Sequence, residues 1–268
     1  MPRVAVVGHV EWVDFIEVER MPREGEVLHA RTSFARAAGG GGVVAAVLAE
    51  LGAEVPFFTA LGDDPHGRAA ADQLRERGVN LHVAWRSQEP TRRAVTLLEG
   101  GGERTIVTVG ERLEPRGSDR LGWELLLGAD GVYFTAGDAG ALERARAARV
   151  LVASPRGRWA LQAAGGPRID AIVYSRGDAD EREWTRRLAP HARLTVETRG
   201  AEGGAWWGDS EGSWRATALE QSPRDAYGCG DSFAAGFTFG LASGESIADA
   251  AALGARWGAR CLTRAGAP

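Results

Sequence analysis

Alternation of strand-like and helix-like segments is the feature of this 268-residue sequence that most limits its fold. Short β-branched runs such as "RVAVVG" at 3–8 predict buried strands, and amphipathic stretches such as "DPHGRAAADQLRERGV" at 64–79 predict helices. The two kinds of segment alternate over most of the chain. This order predicts a mainly parallel central sheet covered by helices on both faces, a three-layer α/β/α sandwich.

Two segments do not follow this rhythm. Residues 10–37 show partial alternation interrupted by a Pro/Gly break, and residues 88–110 contain two apolar runs around a glycine-rich turn, which predicts a hairpin. We expect both to form a small β-sheet lid inserted in a single domain of residues 1–268. Ligands of open α/β sheets bind beyond the carboxyl ends of the strands, so we expect the site there.

Charge and composition exclude several functions. The formal net charge of −4 provides no general basic field for nucleic acid or an anionic membrane. Lysine is absent and all 32 basic residues are arginine, which excludes a Walker A loop because that loop needs its lysine. Any phosphate must therefore be bound by arginine, backbone amides, helix N-termini or metal.

The sequence also carries expectations about compartment. The start, "MPRVAVVGHV", has too short an apolar run for a signal peptide, and no segment approaches a membrane span. Cys229 and Cys261 are too few for a disulfide framework and have no nearby partner in sequence. We expect a cytoplasmic protein whose two thiols are free.

The stretch "DAYGCGDSFAAGF" at 225–237 is the strongest candidate for a reactive site. Gly228 and Gly230 permit a tight turn whose amides, with the N-terminus of the next helix, can bind an anion. Asp231 beside that anion can take a proton from an attacking hydroxyl. The structural alternative is that Asp225 or Asp231 caps a helix, a role worth about 1 kcal/mol. The turn alone leaves both interpretations open.

This stretch resembles the C-terminal signature D-T-x-G-A-G-D-x-F of the PfkB (ribokinase-like) carbohydrate kinases. Three further segments are similar to that family in order and spacing: the N-terminal signature in "AAGGGGVVAAVLAELGA", the lid hairpin in "PTRRAVTLLEGGGERTIV", and the nucleotide loop in "TRGAEGG" at 198–204. The resemblance implies a ribokinase-like fold. It also implies an ATP- and Mg²⁺-dependent phosphotransferase acting on a hydroxyl of a sugar or sugar-like molecule, and a homodimer formed through the lid.

The resemblance also implies individual roles. Asp231 would be the catalytic base, with the amides of Gly228, Cys229 and Gly230 around the transferred phosphate. The residues it places around the nucleotide are Thr198, Gly200, Gly203, Gly254 and Ala255. The residues it places around the acceptor are Gly40, Gly41, Arg104 and either Asp14 or Glu11, which compete for one family position.

The metal positions follow the family less closely. Asp178 would act on Mg²⁺, although the family's N-x-x-E motif is reduced here to "SRGD" at 175–178. Asp225 corresponds to the acid beside a monovalent cation such as K⁺, but the usual threonine next to it is missing. Val43 stands at the acceptor position where the family has an asparagine that contacts the sugar.

Three functions remain open at this stage. The first is a sugar kinase, the second is a kinase-like protein that binds nucleotide or sugar with little turnover, and the third is a nucleoside kinase on the same fold. The intact "GCGD" at 228–231 favours a kinase, whereas Val43 and the lost N-x-x-E favour the binder. A Rossmann oxidoreductase is excluded because no G-x-G-x-x-G follows the first strand.

Overall fold

A computed structural model describes residues 1–99, 104–163 and 166–266 of the chain. The strands are β1 Val4–Val7, β2 Glu11–Val18, β3 Thr32–Ala38, β4 Pro56–Gly62, β5 Asn80–Arg86, β6 Arg93–Glu99, β7 Arg104–Val109, β8 Gly131–Phe134, β9 Val150–Ala153, β10 Ile169–Ser175, β11 Ala192–Thr198, β12 Gly204–Gly208 and β13 Gly212–Trp214. The α-helices are α1 Gly39–Glu50, α2 Pro65–Glu76, α3 Ala139–Ala145, α4 Arg158–Leu161, α5 Ala179–Leu188, α6 Cys229–Ala242 and α7 Ile247–Leu262.

Among the described residues, nine strands form the central sheet in the order β13-β12-β11-β10-β9-β8-β1-β4-β5. The seven strands from β11 to β5 in this order pair in parallel. The hairpin of β12 and β13 extends the sheet at one edge in antiparallel fashion. All carboxyl ends of the parallel strands therefore lie along the same edge, which is where the sequence predicts the site.

Helices cover both faces of this sheet. Along β1, Val4 and Val6 join an apolar cluster with α1, α2, α6 and α7, whereas Ala5 and Val7 join a second cluster with α3, α4 and α5. Successive strand residues point to opposite faces, so each parallel strand contributes to both clusters. The predicted three-layer α/β/α sandwich is confirmed.

In the part of the chain that the structure describes, a second sheet of four strands lies beside the core, in the order β3-β2-β6-β7. Strands β2 and β6 are parallel, and the other two pairs are antiparallel. Its strands come from the two segments predicted to form the lid, although β3 extends to Ala38. The turn of the predicted hairpin at 100–103 lies outside the described residues.

Strand β3 leads directly into α1, which begins with four glycines. Gly39 has a φ of +77°, a conformation that favours glycine, and this allows the chain to change direction from the lid into the core. The junction brings the lid next to the carboxyl ends of the central strands. Within the described ranges, no helix combines the length and the apolarity needed to cross a membrane.

Candidate active site

A cavity of about 560 Å³ lies between the lid and the carboxyl ends of the central strands. The elements around it each contribute a short segment: the loop after β1, the start of α1, the loops after β9 and β10, the turn before α6, and the lid. The polar side chains on its wall are those of His9, Glu11, Arg92, Arg104, Thr108, Arg112, Arg156, Ser175, Asp178, Glu181, Tyr227 and Asp231.

The turn before α6 presents unpaired backbone amides to this cavity. Gly228 is the N-cap of α6 and has a φ of +74°, so a side chain at this position would be strained. The amides of Gly228 and Gly230 donate no hydrogen bond within the described part of the chain, and both residues line the cavity. The Cys229 amide makes one long bond, 3.4 Å to the Ala226 carbonyl oxygen. This helix end can therefore receive an anion.

Asp231 lies in the first turn of α6, but it does not cap the helix. Its Oδ1 accepts a hydrogen bond from Nη1 of Arg156 at 2.9 Å, while Nε of Arg156 lies 3.0 Å from Oε1 of Glu181. The two carboxylates raise the pKa of Arg156, with Asp231 as the larger cause. Burial raises the pKa of Glu181, and the Arg156 guanidinium opposes that rise. One arginine thus holds two carboxylates at the centre of the cavity.

The start of α1 comes very close to this ion pair. A Cβ atom added to Gly40 would lie 3.1 Å from Nη1 of Arg156 and 3.3 Å from Oδ1 of Asp231. Gly40 therefore lets the helix backbone come close to the Asp231 carboxylate, and its contact with an acceptor stays a prediction. Gly41 has a different contact: its amide donates to the His9 carbonyl oxygen at 3.1 Å, and it is absent from the cavity wall.

His9 and Glu11 form the part of the wall that follows β1. Nε2 of His9 accepts a hydrogen bond from the Gly40 amide at 3.3 Å, which requires a neutral ring. Burial, followed by the charges of nearby arginines, lowers the pKa of His9 well below its usual value. Burial raises the pKa of Glu11, while Arg92, whose Nε lies 3.2 Å from Oε1 of Glu11, opposes that rise.

The structure distinguishes between the two candidate acids of β2. Glu11 lines the cavity, whereas Asp14 is three positions further on and faces the other side of the strand. Oδ2 of Asp14 instead accepts a hydrogen bond from Nη2 of Arg93 at 3.2 Å. The placement of Asp14 at the acceptor is not supported, because the strand alternation turns it away. Val43 is also away from the wall, buried in the apolar cluster beneath α1.

The lid contributes alternate residues of β7 to the cavity, namely Arg104, Ile106 and Thr108. Arg104 is therefore on the wall, and its role in binding an acceptor stays a prediction. The loop after β7 adds Arg112, whose Nε donates to Oε1 of Glu114 at 2.8 Å and whose Nη2 donates to the Arg156 carbonyl oxygen at 3.0 Å. This loop links the lid to the residue that holds Asp231.

The predicted Mg²⁺ residue is in a suitable place. Asp178 lines the cavity near Glu181, and its Oδ1 caps α5 by accepting the Glu181 amide at 3.0 Å. Within 1–99, 104–163 and 166–266, no group of three or more His, Cys, Asp or Glu side chains forms a ready metal site. Mg²⁺ commonly uses only one or two carboxylates together with phosphate oxygens and water, so Asp178 fits such an ion.

Asp225 differs from the residue expected at a monovalent cation site. It is 1% exposed, and its two carboxylate oxygens accept the amides of Tyr227 and Gly266, each at 2.8 Å. Both oxygens thus stabilise the local chain, and Asp225 is absent from the cavity wall. These contacts do not fit a cation ligand, and K⁺ binding there stays a prediction from the sequence.

The predicted nucleotide residues fall in two places. Thr198 ends β11, donates to the Tyr174 carbonyl oxygen at 3.3 Å, and lines a small recess next to Asp231. Gly200 and Gly203 follow in the turn before β12, with φ of +57° and +85°. Gly254, by contrast, lies in the contact between α6 and α7, where an added Cβ would be 2.7 Å from the Phe233 carbonyl oxygen. Its neighbour Ala255 is half-buried.

The two cysteines lie next to each other, although they are far apart in sequence. The hydrogen bond with Cys261, together with burial, raises the pKa of the Cys229 thiol. Neither cysteine forms a disulfide, in agreement with the sequence expectation of free thiols. A thiol with a raised pKa is a poor nucleophile at neutral pH, which supports a role for the Cys229 amide rather than its side chain.

Sequence reasoning missed several residues of the site: His9, Arg92, Arg112, Arg156 and Glu181. Arg156 carried a usable signal, because it follows a buried strand at the edge where ligands bind. Glu181 also carried one, because it is three residues after Asp178 on the same helix face. His9 follows β1 in the same way.

Comparison with known proteins agrees with this geometry. A family model described as pfkB family carbohydrate kinase matches residues 1–147 and 171–268. The ribokinase of Arabidopsis thaliana is 34% identical over 132 residues, which are 48% of this chain and 33% of that protein. The chain thus spans about a third of that relative in the match, and 34% of a Dictyostelium discoideum ribokinase. An ATP-dependent ribose-1-phosphate kinase of Halopiger xanaduensis is 28% identical over 256 residues, covering 88% of this chain and 84% of that protein.

Solved structures share the fold. The structure of Arabidopsis thaliana ribokinase complexed with ribose and ATP has a TM-score of 0.77 at 22% identity, covering 99% of this chain and 94% of that one. This similarity confirms the predicted ribokinase-like fold. The family resemblance predicted from the sequence is confirmed as well.

Proposed function

Because the chain belongs to the pfkB family of carbohydrate kinases, we propose that it is an ATP-dependent phosphotransferase that phosphorylates a hydroxyl of a sugar or sugar-like molecule. One observation carries the proposal: the Asp231 carboxylate and the unpaired amides of Gly228 and Gly230 line the same cavity. The names of the relatives support a sugar-like acceptor, since they are kinases of ribose and ribose-1-phosphate.

Asp231 is the proposed general base. Its Oδ1 is held by Arg156, whereas its Oδ2 makes no hydrogen bond to any described residue and is available for the acceptor proton. As the acceptor oxygen forms its bond to the γ-phosphorus of ATP, the hydroxyl proton passes to Asp231 and the bond from that phosphorus to the bridging oxygen breaks. The products are ADP and the phosphate ester of the acceptor.

The amides at the start of α6 stabilise the negative charge of the transferred group. Each such donor is worth roughly 3 kcal/mol in comparable sites, and the N-terminal end of the helix adds positive potential. Thr198, Gly200 and Gly203 are proposed to lie beneath the nucleotide, at the end of β11. Gly254 and Ala255 are proposed to flank the adenine from α7. Mg²⁺, held through Asp178, would neutralise phosphate charge when bound.

An Asp231→Asn variant tests the base. We expect turnover to fall by about 100-fold or more, the usual contribution of a positioned base, with the Kd for ATP almost unchanged. The matched control is Asp72→Asn, an exposed aspartate on α2 whose side chain is 71% exposed. A coupled assay for ADP over a panel of sugars and nucleosides measures turnover. An Asp231→Asn enzyme with near-native rate would refute the assignment.

A second candidate is a kinase-like protein that binds nucleotide or sugar with little turnover. The observation that favours it is the loss of polar acceptor contacts, with Val43 in the core and Asp14 on the opposite face of β2. Measurable ATP binding without ADP release for any acceptor would identify this function. A nucleoside kinase is the third candidate, and competition between nucleosides and sugars in the same assay separates it from the first.

We further propose that two copies of the chain pair through their lids and that the protein is cytoplasmic. Strand β7 is an edge strand, and Val107 and Val109 on it are 56% and 52% exposed. A second lid packed there would cover these side chains. The mass in solution, measured by light scattering for the native chain and for Val107→Glu, tests the pairing, and a native chain of single-subunit mass would contradict it.

A further inference from the structure

Two of the four arginines in the cavity have unused hydrogen-bond donors. In the described ranges the Nε of Arg92 is buried without a hydrogen-bond partner, and the side chain of Arg104, at the start of β7, donates no hydrogen bond. Arg92 immediately precedes β6, with its Nε 3.2 Å from Oε1 of Glu11, and Arg104 begins β7 of the lid. Both line the cavity wall.

The other two arginines are already engaged. Arg156 is paired with Asp231 and Glu181, and Arg112 donates to Glu114 and to the Arg156 carbonyl oxygen. The two that donate no side-chain hydrogen bond are Arg92, which is ion-paired with Glu11, and Arg104 in the lid, and both belong to the part of the wall where the proposed acceptor would lie.

Two expected contacts for a neutral polyol are missing from this part of the wall. A sugar hydroxyl is bound well by a carboxylate or an amide, but Asp14 is turned away and Val43 is buried in the core. The remaining acid, Glu11, is 8% exposed and lies beside Arg92. Besides Glu11 and the hydroxyl group of Thr108, this part of the wall offers an acceptor the guanidinium groups of Arg92 and Arg104.

Guanidinium groups pair most strongly with phosphate and carboxylate, whose oxygens accept two parallel hydrogen bonds. We propose that the acceptor is an anionic sugar, one that already carries a phosphate or carboxylate group, and that Arg104 with Arg92 binds this group and selects for it. The inference rests on the proposed function and specifies the substrate class of the same site.

The competing assignment is that these arginines bind the phosphates of ATP. The two assignments differ in what a substitution changes. If the arginines bind the acceptor, Arg104→Gln raises the KM for an anionic acceptor and leaves the KM for ATP unchanged. If they bind ATP, the KM for ATP rises for every acceptor.

The kinetic experiment compares ribose, ribose 5-phosphate and a sugar acid such as gluconate as acceptors. We expect the native enzyme to prefer an anionic acceptor, and the phosphate and carboxylate arms identify which group it takes. In Arg104→Gln the KM for that acceptor rises by about 10- to 100-fold, the size of one lost charged hydrogen bond, while the KM for neutral ribose does not. Arg104→Lys keeps the charge without the planar fork and loses less.

Arg93→Gln is the matched control, because Arg93 is adjacent to Arg92 and pairs with Asp14 on the opposite side of the strand. A native preference for ribose, or equal losses for neutral and anionic acceptors in Arg104→Gln, would overturn the proposal.

A binding experiment separates this proposal from the proposed function. Calorimetry with Mg²⁺ and a non-hydrolysable ATP analogue fills the nucleotide site, and ribose 5-phosphate or gluconate is then titrated in. Tight binding that Arg92→Gln and Arg104→Gln weaken supports the anionic acceptor even if no phosphate is transferred, in which case only the kinase function fails. Absence of such binding, with active phosphorylation of ribose, removes the inference and leaves the kinase in place.

Discussion

Nη1 of Arg156 lies 2.9 Å from Oδ1 of Asp231, and the two residues are 75 positions apart in the chain. Arg156 follows β9, and Asp231 lies in the first turn of α6. The same guanidinium contacts Glu181 at 3.0 Å. It therefore orients the proposed base and compensates two partly desolvated carboxylates at once.

We expect Arg156→Gln to lower kcat by about 100-fold, because a base displaced by an ångström loses its alignment with the acceptor. Arg156→Lys should lower kcat less, because it keeps the charge. It should still lower kcat, because lysine cannot contact both acids through one planar fork. Removal of the cation leaves Glu181 and Asp231 uncompensated and lowers the free energy of unfolding, by about 2 kcal/mol because the arginine is partly exposed. Steady-state kinetics and urea unfolding measure both effects, and a native kcat in Arg156→Gln would contradict the positioning role.

A methyl group at Gly40 is expected to disturb the same ion pair. The added Cβ of Gly40→Ala would lie 3.1 Å from Nη1 of Arg156 and 3.3 Å from Oδ1 of Asp231, so at least one of these groups must move. We expect kcat/KM to fall by about 10-fold or more. Gly42→Ala is the control, since its Cβ has no neighbour closer than 3.9 Å and alanine favours the helix by up to about 1 kcal/mol. Equal activity of the two variants would show that the close approach of α1 is unimportant.

Substitution of the Cys229 side chain is expected to have little effect. The neighbouring Cys261 and burial raise its pKa, so the thiol is protonated at neutral pH, and the proposed mechanism uses only its amide. Cys229→Ala should keep kcat/KM within about 3-fold of the native value, and the native thiol should react slowly with iodoacetamide at neutral pH. A large loss of kcat in a well-folded Cys229→Ala would indicate a role for the sulfur.

His9 should make the stability of the protein sensitive to acid. Its pKa in the folded state is lowered, so the unfolded chain binds a proton first as the pH falls. The stability is therefore complete above a pH of about 6.5, the ordinary histidine value, and decreases as the pH falls from there towards the folded pKa.

The raised pKa values of Glu11 and Glu181 act in the opposite sense, since they add stability at low pH that is lost as the pH rises. The measurement is therefore the difference in urea unfolding between the native chain and His9→Gln at several pH values. This difference should shrink between pH 7.5 and 5, because the native chain loses the histidine contribution. A constant difference would show that His9 stays neutral in both states or titrates equally in both.

Local patterns in the sequence were sufficient to predict the three layers of the fold and the glycine turn before α6. The periodicity of apolar residues predicts buried strands and helices because each element must hide one face, and the confirmed sandwich follows from their order. "GCGD" at 228–231 predicted the amides and the carboxylate because positive φ and an acid in a first helical turn are local properties. The pairing of Arg156 with Asp231 and Glu181 has no local signature, because the three residues come from separate elements, although Arg156 and Glu181 each follow a strand or a cap at the edge where ligands bind.

The sequence by itself therefore determined the α/β architecture, the family and the place of Asp231 at a helix N-terminus, because these follow from local patterns and from their order along the chain. Only the tertiary structure decided that Glu11 rather than Asp14 faces the cavity, that Arg156 pairs with Asp231, and that Cys229 meets Cys261. Alternation along a strand places neighbouring side chains on opposite faces, but it does not identify the face that lines the cavity. That choice, like contact between distant residues, is made by the pairing of the strands and the packing of the helices around them.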